Sequence, residues 1–210
     1  FSLRKNSQPK LTVTPEYSSI PQPKFTNGMP ETLHVLVVED NLVNQRVLAK
    51  QLRNLGCVVS VANHGREALE FLTKTTCWNH SCTPADTLVR SPSYHIPSTE
   101  PIPEVDAMFT PIDLSIILMD WEMPFMSGIA ATSRIREMEQ DGVMKGRIPV
   151  IGVTANVRQQ QIQSAMAAGM DDVVGKPFRV AELLARMKDT IAKTADVTIS
   201  RCSKESDRAG

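Results

Sequence analysis

The chain of 210 residues carries 23 basic and 23 acidic side chains, for a formal net charge of zero. That balance removes the electrostatic argument for nucleic acid or an anionic membrane surface as a partner. No apolar run approaches the roughly 18 residues that span a bilayer, and the N-terminus lacks the charged-then-apolar pattern of a secretory signal, so a cytoplasmic domain without membrane contact is expected.

Residues 1–31 hold prolines at 9, 15, 21, 23 and 30 without an amphipathic period, and read as a linker or a strap. The first residue is Phe1 rather than Met, as in a fragment of something longer. Leu33 to Val38 is a short run rich in β-branched residues, the pattern of a strand buried on both faces. Apolar residues at 43, 47, 48, 52 and 55 predict a helix over 41–55, stopped by Gly56. A second strand (58–62) and a second helix (65–72) follow. From Thr73 to about Asp113 the alternation breaks: prolines 84, 92, 97, 101, 103 and 111 lie among many Ser and Thr. Because the alternation resumes beyond it, this stretch reads as an insertion between the second helix and the third strand, tolerated because closure entropy grows slowly with loop length.

Beyond the insertion the sequence predicts strands at 114–119, 148–153 and 172–175. Helices are predicted at 129–140, 157–168 and 180–192. Residues 195–210 are polar and lack a period, and are expected to be disordered. The expected division is therefore a Pro-rich linker (1–31), one domain (32–194) with an insertion at about 73–113, and a tail (195–210). Five βα units with right-handed crossovers give a parallel sheet with helices on both faces.

Four strand ends carry reactive side chains. Glu39-Asp40 follows LHVLVV, Asp120 follows LSIILM, Thr154 follows PVIGV, and Lys176 follows DDVVG. In an open α/β sheet the carboxyl ends of the strands open onto one crevice, so three acids, a hydroxyl and an amine are expected to converge there. Carboxylate oxygens are the hard ligands Mg²⁺ prefers, and Lys and Thr hydrogen-bond phosphoryl oxygens. Taken singly, each residue has an ordinary reading: Asp40 as the cap of the first helix, Lys176 as a surface lysine and Thr154 as a strand-end hydroxyl. Their equivalent positions in successive units favour a phosphate-acceptor site.

The blocks VLVVEDNLVNQRV, ILMDWEMPFMSG, IPVIGVTAN and GMDDVVGKPF resemble the receiver domain of response regulators, especially receivers attached to hybrid sensor histidine kinases. The resemblance covers about Leu33 to Lys193 without the insertion. It implies a flavodoxin-like sheet of order 2-1-3-4-5. It further implies that Asp120 takes a phosphoryl group from phosphohistidine, and that Mg²⁺ is held by Asp40, Asp120 and the backbone carbonyl of Glu122, with Glu39 acting through water. Thr154 and Lys176 would hold phosphoryl oxygens, the Lys176-Pro177 peptide would be cis, and Met123, Pro124 and Gly128 would shape the pocket loop. The implied partners are the phosphodonor domain of a histidine kinase and a histidine phosphotransfer protein. The fragment would phosphorylate itself and slowly dephosphorylate, with any kinase catalytic domain lying outside it.

One position departs from the family pattern. Many receivers carry an aromatic residue three positions before the lysine; Val173 stands there, which suits a phosphoryl carrier better than a domain that changes shape. Glu122 has two readings, as a side chain bordering the pocket that tunes the phosphoryl lifetime or as a solvent-facing residue that matters only through its carbonyl. Other readings of the whole are a stand-alone response regulator, a phosphate-independent interaction module, and a haloacid-dehalogenase-like phosphatase. The last generally has an aspartate in place of Glu122 and lacks the acidic pair of the first strand.

The remaining candidates are weaker. Cys57 reads as a small buried residue and Cys202 as part of a polar tail. Cys77, His80 and Cys82 form a loose zinc-like cluster without a fourth ligand. Asn79-His80-Ser81 matches a glycosylation acceptor, inert in the cytosol. Thr83-Pro84, Ser91-Pro92 and Thr110-Pro111 read as proline-directed phosphorylation sites or as solvated loop. His34, His64, His80 and His95 do not lie in a dimerising helix pair and are poor phosphodonors.

Overall fold

A computed structural model of the chain describes residues 25–26, 29–30, 32–79 and 110–206, with side chains described over 32–79 and 110–195. Contacts divide the chain into two units, Phe1–Glu31 and Thr32–Gly210. In the first, Phe25–Thr26 pairs antiparallel with Met29–Pro30; the rest of the expected linker lies outside the described residues, as do His80, Cys82, Thr83, Ser91 and His95.

The second unit alternates strand and helix as the apolar runs predict. The strands are β1 (His34–Val38), β2 (Val58–Ala62), β3 (Ile116–Asp120), β4 (Val150–Thr154) and β5 (Asp172–Gly175). The helices are α1 (Leu42–Asn54), α2 (Gly65–Leu72), α3 (Gly128–Gln140), α4 (Gln159–Ala167) and α5 (Val180–Ser206). The five strands form one parallel sheet of order β2-β1-β3-β4-β5, the expected flavodoxin-like arrangement.

Strand periodicity explains the unbroken apolar runs. Successive side chains point to opposite faces, and the central strands β1, β3 and β4 are covered on both, so their runs are apolar almost throughout, whereas the edge strand β2 carries Ser60 and exposes Val58 and Val61. In β1, Leu36 and Val38 join Ile117, Met119, Trp121 and Ile135 in one core. Val35 and Val37 join Leu52, Ile116, Leu118, Val153 and Leu183 in the other. The register pairs Val38 with Met119, Asp120 with Val153 and Thr154 with Gly175. The carboxyl ends of β1, β3, β4 and β5 therefore finish at one edge.

Several element ends differ from the sequence reading. β3 and β4 begin at Ile116 and Val150 rather than Leu114 and Ile148: Leu114 and Ile148 are buried but precede the ladder, so the apolar run marks burial and not pairing. α4 begins at Gln159 rather than Val157, whose side chain sits against Gly175. α5 continues to Ser206, so residues 195–206 are helical rather than a disordered tail. No Pro or Gly interrupts 180–206, and polarity by itself does not end a helix.

The ends of the insertion are also built into the body. Thr75 bridges Ile112, with Thr76 N donating to Ile112 O at 2.9 Å and Ile112 N to Lys74 O at 3.0 Å. Trp78 bridges Met144, and Asn79 N donates to Val143 O at 2.9 Å. Residues 73–79 and 110–113, expected to be structureless, thus extend the fold; residues 80–109 lie outside the described residues.

Candidate functional site

The site is assembled where β1, β3 and β5 end. Glu39 follows β1 and is 4% exposed; Asp40 is exposed. Asp120 closes β3, and its Oδ1 accepts a hydrogen bond from Trp121 N at 2.7 Å. Lys176 follows β5, and the Lys176-Pro177 peptide is cis. Its Nζ donates to Glu39 Oε2 at 2.7 Å and to Asp120 Oδ2 at 2.8 Å. Burial alone would push the Lys176 ammonium down, but hydrogen bonds and charge from Asp120 and Glu39 outweigh it and hold the group above its ordinary value. Lys176 is a firm cation between two acids.

Two neighbours on α1, which spacing and composition do not single out, hold Glu39. Asn44 Nδ2 donates to Glu39 Oε1 at 3.3 Å. Buried Gln45 donates to Glu39 O at 3.0 Å, Ala62 O at 3.2 Å and Asn63 Oδ1 at 3.1 Å, stitching the ends of β1 and β2. The cap of α1 is Asn41, whose Oδ1 accepts from Val43 N and Asn44 N at 3.0 and 3.1 Å. The capping role considered for Asp40 is thereby filled by its neighbour, which leaves the Asp40 carboxylate uncommitted to the helix.

Thr154 reaches the same edge, and Lys176 N donates to Thr154 O at 2.7 Å. Thr154 is 3% exposed, and its hydroxyl is engaged elsewhere: it accepts from Asn156 N at 3.0 Å and donates to Asn156 O at 3.2 Å. The loop after β3 comes close because Gly128 has no side chain, since a Cβ there would collide with Asp120 O. In that loop Glu122 and Pro124 are exposed and Met123 is buried. Phe125 adopts φ 65° and is 87% exposed, with its ring edge-on to His64 at 5.4 Å.

Val173 is half-buried and pairs with Gly152. A Cβ on Gly152 would collide with Trp121 Nε1 and approach Met170 Sδ at 2.5 Å. The indole therefore lies over β4, where Gly152 leaves room for it. Cys57 is buried, and Cys77, the one zinc-cluster candidate among the described residues, is a free thiol.

The donor set fits a hard divalent cation. One oxygen from each of Glu39, Asp40 and Asp120 lies within 4.8 Å of the others, against about 4.2 Å between opposite ligands of an octahedral Mg²⁺ with bonds of about 2.1 Å. Three carboxylates against one lysine leave the cluster negative, so a cation there lowers the mutual repulsion of the acids.

Comparison with known proteins points to one family. The family model for the response regulator receiver domain matches residues 81–188. That span takes in Asp120, Thr154 and Lys176, whereas Glu39 and Asp40 precede it. The chain is 30% identical over 190 residues to the sensor histidine kinase RcsC of Escherichia coli (strain K12), covering 86% of this chain and 15% of that protein. It spans 6% of the length of hybrid signal transduction histidine kinase B of Dictyostelium discoideum and 14 to 15% of the RcsC kinases. Among solved structures, the receiver domain of sensor histidine kinase PA1611 from Pseudomonas aeruginosa PAO1 is 28% identical, with a TM-score of 0.50 over 77% of this chain and 98% of that one. Its structure carries a magnesium ion coordinated in the active site cleft. The Saccharomyces cerevisiae receiver domain of Ssk1, solved with the histidine phosphotransfer protein Ypd1, shares the fold at 22% identity and a TM-score of 0.55, over 77% of this chain and 90% of that one. The family match spans just over half of the residues and shows that the chain belongs to the response regulator receiver domain family.

Proposed function

We propose that this receiver accepts a phosphoryl group on Asp120 from a phosphohistidine of a histidine kinase and passes it to a histidine phosphotransfer protein. The observation that carries the reading is the Lys176 ammonium held between Glu39 and Asp120, residues 137 and 56 positions away in sequence. An Asp120 carboxylate oxygen bonds phosphorus as the P–N bond breaks, and the departing imidazole nitrogen keeps the electron pair and takes up a proton. Lys176 turns from the carboxylates to a phosphoryl oxygen, and Thr154 exchanges Asn156 for another. Asp40, Asp120 and the Glu122 carbonyl would hold Mg²⁺, with Glu39 acting through water. The ion, when bound, neutralises charge that would otherwise repel the incoming anion.

Two observations support a relay partner rather than an attached output. Leu42, Val43 and Val47 on α1 and Phe125 in the neighbouring loop are exposed apolar side chains around the site, an arrangement suited to docking a protein that presents a histidine. Val173 is too small for an aromatic switch at β5. The relatives are sensor and hybrid kinases, which supports a parent hybrid kinase working in the cytoplasm, with the receiver spanning 32–194. No helix among the described residues is long and apolar enough to cross a membrane.

Incubation with acetyl phosphate and MgCl₂ tests the reading by intact mass. Wild type is expected to gain one phosphoryl group, and Asp120→Asn none. Equal gain by both proteins, or none by either, overturns it.

A further inference from the structure

We propose that Asn44 is a positioning residue for Mg²⁺, acting through Glu39. This rests on the reading of the site given above. Glu39 is buried, and each of its carboxylate oxygens has a named partner: Asn44 Nδ2 on Oε1 and Lys176 Nζ on Oε2. The two partners differ in permanence. Lys176 also serves Asp120 at 2.8 Å, so an anion joined to Asp120 draws the ammonium away from Glu39. Among the described residues Asn44 has no second side-chain claimant: its backbone N–H is taken by the Asn41 cap and its amide faces Glu39. It is fixed in the first turn of α1 beside Gln45, which grips the Glu39 carbonyl. Adjacent residues of one helical turn thus hold the side chain and the backbone of the same acid, and only the side-chain hold sets where its oxygens face.

An amide suits this position. It donates a hydrogen bond to the carboxylate without adding charge, so it orients Glu39 while leaving its negative charge for the cation. Outer partners of this kind tune metal affinity through the orientation of the acids they hold. Asn44 is exposed, so replacing it disturbs no core packing, and alanine is the better helix former.

The experiment is an NMR titration with MgCl₂ alone, following the backbone amides of Glu39, Asp120 and Trp121, on wild type, Asn44→Ala, Glu39→Ala and the double variant, with a thermal melt of each. Asn44→Ala is expected to raise the Mg²⁺ dissociation constant about tenfold without lowering the melting temperature. In the Glu39→Ala background the same substitution is expected to change nothing further. Saturable binding by wild type with an unchanged constant in Asn44→Ala overturns the inference alone, as does an equal loss in both backgrounds. Absence of saturable binding by wild type overturns this inference together with the reading of the site on which it rests.

Discussion

The two ends of the parallel sheet treat charge in opposite ways. At the carboxyl end, three acids face one lysine, and the Thr154 hydroxyl is turned aside to Asn156. At the amino end, charges are matched and saturated. Arg136, 7% exposed, donates to Gly169 O, Ile148 O, Glu139 and Asp171 at 2.6 to 2.9 Å. Arg147 grips Asp171 Oδ1 through Nε and Nη2 and reaches Gly169 O. Both arginines fasten the turn that leads into β5. A buried ion network with its donors used is a clamp, whereas a cluster left with surplus negative charge is built to be completed by something else.

Breaking the clamp has the largest expected effect. Arg136→Ala removes the cation that Glu139 and Asp171 share in a nearly closed setting, leaving Asp171 to Arg147 and Val150 N and Glu139 to Ile148 N, and should cost about 3 kcal/mol in a urea melt. Relieving the crowded end should act in the reverse direction. Asp120→Asn removes one of the mutually repelling acids and is expected to stabilise the metal-free domain by about 1 kcal/mol, while removing the rise in melting temperature that MgCl₂ gives wild type.

The smallest effect concerns His34, at the amino end. Its Nε2 lies 2.9 Å from Ser60 Oγ. Burial lowers its pKa from the usual value, with the charge of Asp113 pulling the other way. The folded state therefore binds fewer protons than the unfolded chain between the lowered value and the unperturbed 6.5. Its contribution is complete above that unperturbed value and is lost as pH falls through the folded one. A melt series across that interval should be flatter for His34→Gln than for wild type.

The sequence disclosed the two ends unequally. The convergence of Glu39, Asp40, Asp120 and Lys176 was legible because each follows an apolar strand, and strand order does the rest. Arg136 was not: on its helix it stands three residues before Glu139, as a surface ion pair would, and its burial comes from β4 and the turn before β5. Asn44 and Gln45 look like the polar face of α1, and only the register of β1 against that helix aims them at Glu39. The Thr154 hydroxyl direction is a rotamer choice, to which composition and spacing are blind. Cys77 and Trp78 lay in a stretch that looked structureless, since their contacts come from Met144 and Lys145, distant in sequence.

The most direct measurement is a crystal structure with MgCl₂ and beryllofluoride, a phosphoryl mimic. Beryllofluoride is expected on Asp120, with Lys176 moved from Glu39 to a fluorine, Thr154 released from Asn156 to another, and little movement of α4, β5 and α5. Beryllofluoride bound elsewhere, or bound on Asp120 with Lys176 still bridging Glu39 and Asp120, would contradict it.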